Sequence, residues 1–358
     1  MPDILLNGAT GYTGRLAAAA LQRRNADFAI AGRDAVKLKS LASATGSPEI
    51  RVVPSGDVEA LTDALSDVRV LITCVGPFAE LGHTAIEAAV RAGVHYVDST
   101  GEGSFIRRLV EDYDRRAREA GIAVAPALGF DEVPGDVAVT LAAGDLDEPA
   151  IDVTYALPRT ASSGTLRSAL GIVASTGPWL EDGALREIAA GEEMRWSPLP
   201  PPLGPRPARS FPLALGHLAP RHIDARTFRT YVTVGPLEGA ALRYARPLLK
   251  RVIESPLKDV IDKGVKRLPE GPTEEQRKAR WTILAEARGR SGAWRNVTLV
   301  GSDFYGLTAE TLSAAAMRMS ATGYEPTGVL APVEALGLEA AQEELERWGV
   351  AIEAYAPV

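Results

Sequence analysis

A glycine-rich turn follows the first apolar run of the chain almost at once, and it constrains the fold more than any other feature. Ile4–Leu6 leads into three glycines spaced three residues apart, in the stretch Gly8-Ala9-Thr10-Gly11-Tyr12-Thr13-Gly14. Residues Gly14–Arg24 are then rich in alanine and favour a helix. Glycine gives the backbone the freedom that a tight strand-to-helix turn needs, and it lets backbone amides approach a phosphate group closely. The order of strand, glycine turn and helix therefore predicts that these seven residues bind the pyrophosphate of a dinucleotide at a helix N-terminus. The alternative is a turn that serves only to reverse the chain.

The first 130 residues alternate short apolar runs with helix-forming segments. The runs that we interpret as strands are Ile4–Leu6, Phe28–Ala31, Ile50–Val53, Val70–Thr73, Val94–Val97 and Ile122–Ala125. Short apolar runs that alternate with amphipathic helices are typical of a parallel sheet covered on both faces. We therefore predict an α/β domain over residues 1–130, built on a doubly wound parallel (Rossmann) sheet of about six strands.

The pattern changes after Pro126. Longer stretches now alternate apolar and polar residues, namely Ile151–Leu157, Thr227–Val234, Trp281–Arg288 and Ala293–Val300. Alternation predicts strands with one covered face, so we expect a second, α+β domain over residues 131–330 on a mainly antiparallel sheet. A proline-rich stretch within residues 198–212 predicts an irregular loop, because proline cannot donate to a ladder. Residues 331–358 are expected to contain a helix that packs back onto either domain.

Composition limits the class of protein. The chain has 358 residues with a formal net charge of −7, and its acidic pI near 5.4 argues against nucleic acid as the main partner. The single cysteine, Cys74, rules out an internal disulfide framework and a four-cysteine zinc site. No window approaches eighteen consecutive apolar residues, and the strand pattern that begins at Ile4 leaves no room for a signal peptide. We therefore expect a soluble, cytoplasmic protein, and the sequence leaves its oligomeric state open.

The end of the second strand indicates which dinucleotide is bound. Dehydrogenases that use NAD place an acidic residue there to bind the ribose 2′-hydroxyl, whereas this chain has Ala31-Gly32-Arg33. The Arg33 guanidinium suits a 2′-phosphate, and Lys37 adds a second positive charge one helical turn later. The alternative is that Asp34 binds the ribose, although Asp34 is also in place to cap the next helix. We therefore predict NADP(H), with Gly32, Arg33 and Lys37 in the site.

Two more loops follow buried strands and so lie at the edge of the sheet where ligands bind. The first is Cys74-Val75-Gly76-Pro77-Phe78, and the second is Asp98-Ser99-Thr100, of which Ser99 and Thr100 are the expected cofactor contacts. Ordinary turn chemistry explains the same residues, so both interpretations stay open. Cys74 itself fits a small buried residue better than a nucleophile.

Several motifs recur together in one known family. They are the glycine turn, Val75-Gly76-Pro77-Phe78, His95-Tyr96-Val97-Asp98 with Gly101-Glu102, Gly129-Phe130-Asp131 with Val133-Pro134 and Asp136, Ser163-Gly164-Thr165, and Gly328-Val329-Leu330 with Pro332. In this order they resemble the saccharopine dehydrogenase-like oxidoreductases, and among these the bacterial branch of trans-acting enoyl reductases. The resemblance implies an NADP-binding fold, a second domain over the nicotinamide, and hydride transfer as the reaction. Residues 198–222 match no feature of the family.

The chemistry beyond hydride transfer needs a proton donor. No Tyr-x-x-x-Lys spacing occurs, which excludes the tyrosine–lysine pair of short-chain dehydrogenases. Asp131 lies at the predicted junction between the domains and is our candidate catalytic residue, with Tyr155 and Tyr231 as further candidates. The alternative is that Asp131 fixes a turn and Asp136 caps the following helix. The four histidines show no i, i+4 pairing, so no metal site is predicted.

Positive charge is concentrated in residues 240–295, with 14 Lys and Arg against 7 Asp and Glu. Within it, Leu248–Leu268 has apolar residues at helical spacing. Such a segment can dock on an acyl carrier protein or a lipid surface, or it can pack on the protein's own core.

Three hypotheses for the function follow. The first is an NADPH-dependent oxidoreductase that reduces a C=C bond of an acyl or polyketide-type substrate. The second is a saccharopine-type C–N oxidoreductase, acting on an imine or an amino acid. The third is a non-catalytic NADP-binding regulator, which a nicotinamide pocket blocked by Phe78 or by the proline-rich loop would favour.

Overall fold

A computed structural model describes residues 2–158, 170–253, 255, 264 and 271–356 of the chain. These residues form two compact units. The first unit comprises residues 1–101, 105–133 and 304–344, and the second comprises residues 102–104, 134–303 and 345–358. The chain therefore passes between the units more than once, and each unit has its own sheet.

The strands are numbered in chain order. Those of the first unit are β1 (Ile4–Asn7), β2 (Phe28–Gly32), β3 (Glu49–Val52), β4 (Val70–Thr73), β5 (His95–Asp98), β6 (Ala123–Ala125) and β15 (Gly328–Val329). Those of the second unit are β7 (Ala150–Ala156), β8 (Thr176–Glu181), β9 (Ala184–Ala189), β10 (Met194–Ser197), β11 (Arg206–Ser210), β12 (Thr227–Thr233), β13 (Trp281–Arg288), β14 (Trp294–Gly301) and β16 (Ala351–Tyr355).

The α-helices are numbered in the same way. They are α1 (Tyr12–Arg23), α2 (Ala35–Ala44), α3 (Val58–Asp63), α4 (Phe78–Ala92), α5 (Gly103–Arg108), α6 (Asp114–Glu119), α7 (Val133–Ala143), α8 (Leu215–Leu218), α9 (Pro236–Ile253), α10 (Glu274–Arg277), α11 (Phe304–Ser320), α12 (Pro332–Leu336) and α13 (Leu338–Arg347). A π-helical turn (Leu109–Tyr113) joins α5 to α6, and a 3₁₀ turn (Ala219–Arg221) follows α8. No helix among the described residues is both long enough and apolar enough to cross a bilayer.

The sheet of the first unit is parallel throughout, in the order β15-β6-β5-β4-β1-β2-β3. This confirms the predicted doubly wound sheet. Strands β1 and β4 are neighbours, with Ile4 paired to Val70, so the strand order reverses between them. In a sheet of this kind ligands bind beyond the carboxyl ends of the strands, at that reversal. The loops after β1, β2, β4 and β5 all begin at this carboxyl edge.

The sheet of the second unit is mainly antiparallel, as predicted. Its strands follow the order β10-β11-β12-β7-β13-β14-β16, with the β8–β9 hairpin attached to β12, and only the β7–β12 pair is parallel among the described strands. Along β7 the side chains alternate: Ile151, Val153 and Tyr155 are fully buried, whereas Asp152 lies on the opposite face. The Tyr155 hydroxyl reaches Gly135, so α7 covers the apolar face.

The structure divides the chain differently from the predicted boundaries at residues 130 and 330. Helix α11 and strand β15 belong to the first unit: α11 packs beside α1 and against β4 and β5, and β15 pairs with β6. Residues 331–358 contain the predicted helix, and after it β16, which pairs with β14 in the second unit. Helix α11 is buried around most of its circumference. Its sequence therefore lacks the one-sided apolar stripe that would have indicated which sheet it covers.

The proline-rich stretch is only partly a loop. Pro207 lies in β11, opposite Trp196 of β10. The ladder between β11 and β12 begins at the next residue, Ala208, so the missing N–H of Pro207 falls at the end of that ladder. Earlier in the stretch, Leu199 and Leu203 pack on the sheet of the second unit.

A candidate dinucleotide site in the first unit

The glycine turn sits at the carboxyl edge of the parallel sheet. Gly8 has a φ of +77°, and its amide and that of Ala9 donate to the carbonyl oxygen of Ala31 at 3.0 and 3.2 Å. A Cβ on Gly8 would lie 2.8 Å from the Val75 side chain and 3.2 Å from the Cys74 carbonyl carbon. Both the backbone conformation and the close approach of the loop after β4 therefore require glycine at position 8.

The other two glycines have different roles. A Cβ on Gly14 would lie 2.3 Å from the Gly8 carbonyl oxygen and 2.8 Å from the Ala9 backbone, so Gly14 lets α1 pack closely on the turn. A Cβ on Gly11 would meet only the Gly8 oxygen, at 3.4 Å, among the described atoms. Gly11 thus stands on the open side of the turn, where a side chain would occupy the space that a bound phosphate needs.

The N-terminus of α1 has backbone amides that no side chain caps. No side chain caps it at Gly11, and its first turn contains no acidic residue. The next two helices differ, because Asp34 caps α2 and Asp57 caps α3. Uncapped amides and the helix dipole attract negative charge, so the turn fits the pyrophosphate of a dinucleotide.

Two exposed cations follow β2. Asp34 is engaged as the helix cap, since its Oδ1 accepts from the amides of Val36 and Lys37 at 3.0 and 3.1 Å. The side chains of Arg33 and Lys37 are exposed, and neither forms an ion pair with another described residue. A Cβ on Gly32 would meet the Leu38 side chain at an ordinary contact distance of 3.7 Å, so packing does not require glycine here. Any contribution of Gly32 to the site would come from its backbone. An exposed pair of cations beyond the second strand fits a 2′-phosphate.

The loop after β4 is held by hydrogen bonds to its own strand and to β1. The Cys74 amide donates to the Asn7 carbonyl at 3.0 Å, and the Val75 amide donates to the Thr73 hydroxyl at 3.4 Å. Burial, with a contribution from Asp98, raises the pKa of the Cys74 thiol to about 12, so the thiol stays protonated and unreactive at neutral pH. Gly76-Pro77 is a cis peptide that ends at the start of α4. Cys74 is half-buried, and its protonated thiol agrees with the interpretation that it is not a nucleophile.

The Phe78 ring belongs to the core of the first unit. It is buried, and its centroid lies 5.8 Å from that of Phe105. Phe105 in turn fills the space beside Gly82, where a Cβ would lie 2.5 Å from the ring. The ring of Phe78 therefore does not cover the turn, and a cofactor contact from this residue would have to come from its backbone.

Asp98 fixes the conformation of the loop after β5 through its hydrogen bonds. Its buried carboxylate accepts from the Tyr96 hydroxyl at 2.6 Å, from the Thr100 amide at 2.8 Å and from the Ala127 amide at 2.9 Å. The carboxylate thereby ties the loop after β5 to the loop after β6. The Thr100 side chain is buried, whereas Ser99 is half-buried. Turn chemistry thus accounts for Thr100, and Ser99 is the residue of this loop that reaches the surface.

Asp131 lies near Ser99 in the same unit. A Cβ on Gly129 would lie 3.1 Å from the Asp131 carboxylate and 3.7 Å from the Ser99 carbonyl oxygen. Burial raises the pKa of Asp131 to about 6, against a smaller opposing effect of a backbone hydrogen bond. The structure therefore brings the predicted acid to the loops at the carboxyl edge.

Helix α11 fixes these loops, and no sequence motif pointed to this role. The Phe130 amide donates to the Thr308 hydroxyl at 3.0 Å, and the Thr311 hydroxyl donates to the Leu128 carbonyl at 2.7 Å. A row of aromatic rings crosses the same region: Tyr12 meets Tyr305 at 5.0 Å, Tyr305 meets Phe304 at 4.5 Å, and Phe304 meets Phe130 at 5.2 Å. This row connects the glycine turn to the loop that carries Asp131.

The remaining candidates have structural partners. Asp136 lies in the first turn of α7, which begins at Val133, and its carboxylate faces the His222 ring at 2.8 Å rather than capping a helix. Tyr155 is buried, and burial with nearby Asp152 raises the pKa of Tyr231 to about 12. The motif Ser163-Gly164-Thr165 and most of Leu248–Leu268 lie outside the described residues.

The fold and this site define a class. A doubly wound parallel sheet, an open glycine turn at its reversal point and exposed cations after the second strand form a dinucleotide-binding domain. Residues 4–125 match the family of the saccharopine dehydrogenase NADP binding domain. This part of the chain is therefore similar to the NADP-binding domain of saccharopine dehydrogenases, which confirms the predicted resemblance and agrees with the prediction of NADP(H).

Relatives among curated proteins share about this part of the chain. A trans-acting enoyl reductase of Mycobacterium ulcerans is 32% identical over 38% of this chain and 34% of its own length. One from Mycobacterium leprae is 33% identical over the same shares. A lipid droplet localized protein of Caenorhabditis elegans is 32% identical over 38% of this chain and 35% of its length. The matches thus span about a third of the length of these relatives.

Among solved structures, a saccharopine dehydrogenase is similar to this chain over its whole length. The apo saccharopine dehydrogenase (L-Glu forming) of Saccharomyces cerevisiae covers 100% of both chains with a TM-score of 0.64 and 14% sequence identity. At this identity the likeness shows the fold, and it confirms the predicted combination of a Rossmann sheet with a second, mainly antiparallel sheet.

Proposed function

We propose that this protein is an NADPH-dependent oxidoreductase that reduces a C=C bond of an acyl or polyketide-type substrate. The observation that carries the proposal is the open glycine turn, with Gly11 facing outward and Gly14 packed beneath it, in a domain of the NADP-binding type. The names of the relatives support the enoyl reductase assignment. When bound, NADPH supplies a hydride to the substrate.

The chain's own residues have distinct tasks in this proposal. Residues Gly8–Gly14 hold the pyrophosphate through backbone amides, and Arg33 with Lys37 holds the 2′-phosphate. The loops Cys74–Phe78 and Ser99–Thr100 border the rest of the cofactor. Hydride addition to a C=C bond also requires a proton, and Asp131 is the proposed donor. Because its pKa is raised to about 6, a fraction of this carboxyl keeps its proton near neutral pH.

Two arginines of the second unit bear on the choice between C=C reduction and C–N chemistry. An amino-acid substrate needs a cation that is available to bind its carboxylate. On the face of the second sheet opposite α7, Arg195 pairs with Asp152 at 2.6 Å and with Glu286 at 2.7 Å. Arg229 forms a bidentate contact with the same Asp152, in which its Nε and Nη2 donate to the two carboxylate oxygens at 2.7 and 3.2 Å. These two arginines are therefore engaged by the protein's own carboxylates and are not available for that role.

Two observations favour an enzyme over a non-catalytic regulator. The Phe78 ring is packed on Phe105, so it does not cover the glycine turn. The proline-rich loop is engaged within its own unit, where Leu199 and Leu203 pack on Ala156 and Leu284. The packing of Phe78 in particular supports a cofactor loop that this ring leaves open.

The partners and compartment remain proposals from the sequence. An acyl carrier protein or a lipid surface is the proposed partner of the basic segment 240–295. Within that segment, strand β13 pairs on both sides within the second sheet, so a partner would bind to other residues of the segment. The cytoplasm is the proposed compartment, in keeping with the single cysteine.

The first test measures cofactor preference. Purified protein is titrated with NADPH and NADH by fluorescence, alongside the Arg33→Ala variant. We expect the variant to lose about 1–3 kcal/mol of binding free energy for NADPH and little for NADH. Equal losses for both coenzymes would contradict the assignment of Arg33.

The second test identifies the reaction. NADPH oxidation is followed with enoyl thioesters in one series and with amino-acid and keto-acid pairs in the other. Turnover confined to enoyl thioesters, reduced in the Asp131→Asn variant, is the expected result. Turnover confined to the second series would instead establish the C–N oxidoreductase, and inertness with every acceptor would favour the regulator.

A further inference from the structure

The loop between β6 and Asp131 has a strained backbone. Ala127 is fully buried and has a φ of +59°, in the left-handed region that residues other than glycine rarely adopt. Such a conformation costs free energy and persists only where the surrounding structure holds it. Asp98 holds one side of the loop, since its carboxylate accepts from the Ala127 amide at 2.9 Å and its carbonyl oxygen accepts from the Leu128 amide at 2.8 Å. The neighbours of this loop therefore impose its shape.

Two threonines of α11 hold the other side of the same loop. The Thr311 hydroxyl donates to the Leu128 carbonyl at 2.7 Å, and the Thr308 hydroxyl accepts from the Phe130 amide at 3.0 Å. The Thr308 hydroxyl also donates to the Phe304 carbonyl of its own helix at 2.8 Å, so both its donor and its acceptor are used. Both threonines are buried, where the loss of a hydrogen-bond partner is costly. The two hydroxyls thus fasten the loop at two points.

Gly129 lies between these two points, and the Asp131 carboxylate lies against it. A Cβ on Gly129 would be 3.1 Å from the Asp131 Oδ1, so a side chain there would press on the carboxylate. Because the carboxylate lies against the fastened part of the loop, a shift of the loop would also move the carboxylate. Helix α11 contacts the glycine turn as well, since the Tyr305 ring meets the Tyr12 ring at 5.0 Å. One helix therefore supports both the loop before Asp131 and the cofactor turn.

We propose that Thr308 and Thr311 are positioning residues, which hold the loop 127–130 so that the Asp131 carboxyl is in place to protonate the substrate. This inference rests on the proposed function, in which Asp131 is the proton donor. In that step the Asp131 O–H bond breaks, its proton goes to one carbon of the C=C bond while the other carbon receives the hydride, and a carboxylate remains. A displacement of about 1 Å from the productive geometry can cost about a hundredfold in rate. The threonines thus act through the loop rather than on the substrate.

The test removes each hydroxyl while nearly keeping the shape of the side chain. Thr308→Val and Thr311→Val lose the hydroxyl, whereas Thr308→Ser keeps it. Ser313→Ala is the matched control, because Ser313 is also buried on α11 and its hydroxyl donates within the helix, to the Ala309 carbonyl at 2.8 Å. Reduction of an enoyl thioester with NADPH gives kcat and KM for each variant. Urea unfolding and titration with NADPH show that each variant is folded and binds the cofactor.

We expect Thr308→Val to lower kcat about tenfold or more, with KM and the Kd of NADPH within about twofold of the wild type. The reason is that a displaced proton donor slows the chemical step and leaves binding intact. Thr311→Val should act in the same direction, Thr308→Ser should recover most of the rate, and Ser313→Ala should match the wild type. Wild-type kcat in both valine variants, or a rise in KM alone, would overturn the inference.

Combination with Asp131→Asn separates positioning from a general loosening of the fold. A threonine that acts through Asp131 has nothing left to position once the carboxyl is gone. Thr308→Val should therefore change the kcat of Asp131→Asn by no more than about twofold. A further loss of about tenfold in the double variant would show a structural role and overturn the inference.

The failure of this inference is distinguishable from the failure of the proposed function. A wild type that is inactive with enoyl thioesters, or Asp131→Asn with the wild-type kcat, would overturn the proposed function together with this inference. An active wild type and an impaired Asp131→Asn, beside fully active Thr308→Val and Thr311→Val, would overturn the inference alone.

Discussion

Asp131 offers a test of the site through stability. Burial raises its pKa to about 6, compared with about 3.9 for an ordinary aspartate. The folded protein thus binds this proton more tightly than the unfolded chain does. The free energy of unfolding should therefore fall as the pH rises from about 4 through 6, by about 3 kcal/mol at most from this group. Above that range the ionised carboxylate is a continuing cost to the fold.

Replacement of Asp131 by Asn removes the ionisation and nearly keeps the shape. We expect Asp131→Asn to be more stable than the wild type at pH 7 by about 2–3 kcal/mol, and equal to it near pH 4. The assay is urea unfolding between pH 4 and 8, extrapolated to water. Asp67→Asn is the control with the opposite sign, because hydrogen bonds from Arg51 lower the pKa of Asp67 and its stabilisation is lost as the pH falls. A pH dependence that is identical in Asp131→Asn and the wild type would refute the reasoning.

Three other predictions concern packing and pairing. Gly14→Ala places a Cβ 2.3 Å from a backbone oxygen of the turn and should destabilise the protein by about 1–3 kcal/mol in urea unfolding. Gly11→Ala should instead fold normally and bind NADPH at least tenfold more weakly. Equal stabilities of the two variants would contradict this distinction. Cys74 should react with maleimide at pH 8 only after unfolding, because its pKa is raised to about 12; rapid labelling of the native protein would contradict this. Arg195→Met leaves Glu286 without its cation and should cost about 1–3 kcal/mol, and Arg195→Met combined with Glu286→Gln should recover part of the loss.

Local sequence signals were enough to predict most of the first unit. The six predicted strands correspond to β1–β6, because each is an apolar run bounded by a turn or a helix cap such as Asp34. The site loops follow from the same prediction, since a parallel sheet gathers the ends of its strands along one edge. The seventh strand, β15, has only two residues and pairs with β6 from about 200 positions away, so no local pattern indicated it.

The parts that escaped prediction depend on contacts between distant segments. Helix α11 supplies Thr308 and Thr311 to the loop that carries Asp131, yet its small and apolar residues show no preferred face. The orientation of the Phe78 ring could not be predicted either. The sequence shows only that Phe78 follows the loop after β4, and the contact of its ring with Phe105 depends on tertiary packing. Sequence motifs locate the backbone of a site, whereas the side chains that support it are set by the tertiary structure.

Charge is handled differently in the two units, and this difference bears on function. In the second unit the half-buried Arg195 forms ion pairs with Glu286 and Asp152, and Arg229 forms an ion pair with the same Asp152. At the carboxyl edge of the first sheet, α1 starts without a cap and Asp131 is held in a setting that raises its pKa. Features that are unfavourable for folding and gathered at one edge are the pattern of a binding site. A ligand that binds only the folded state offsets such costs, by about 2.7 kcal/mol at a hundred times its dissociation constant. NADPH should therefore raise the free energy of unfolding of the wild type more than that of Gly11→Ala, because that variant weakens the contacts through which the cofactor acts.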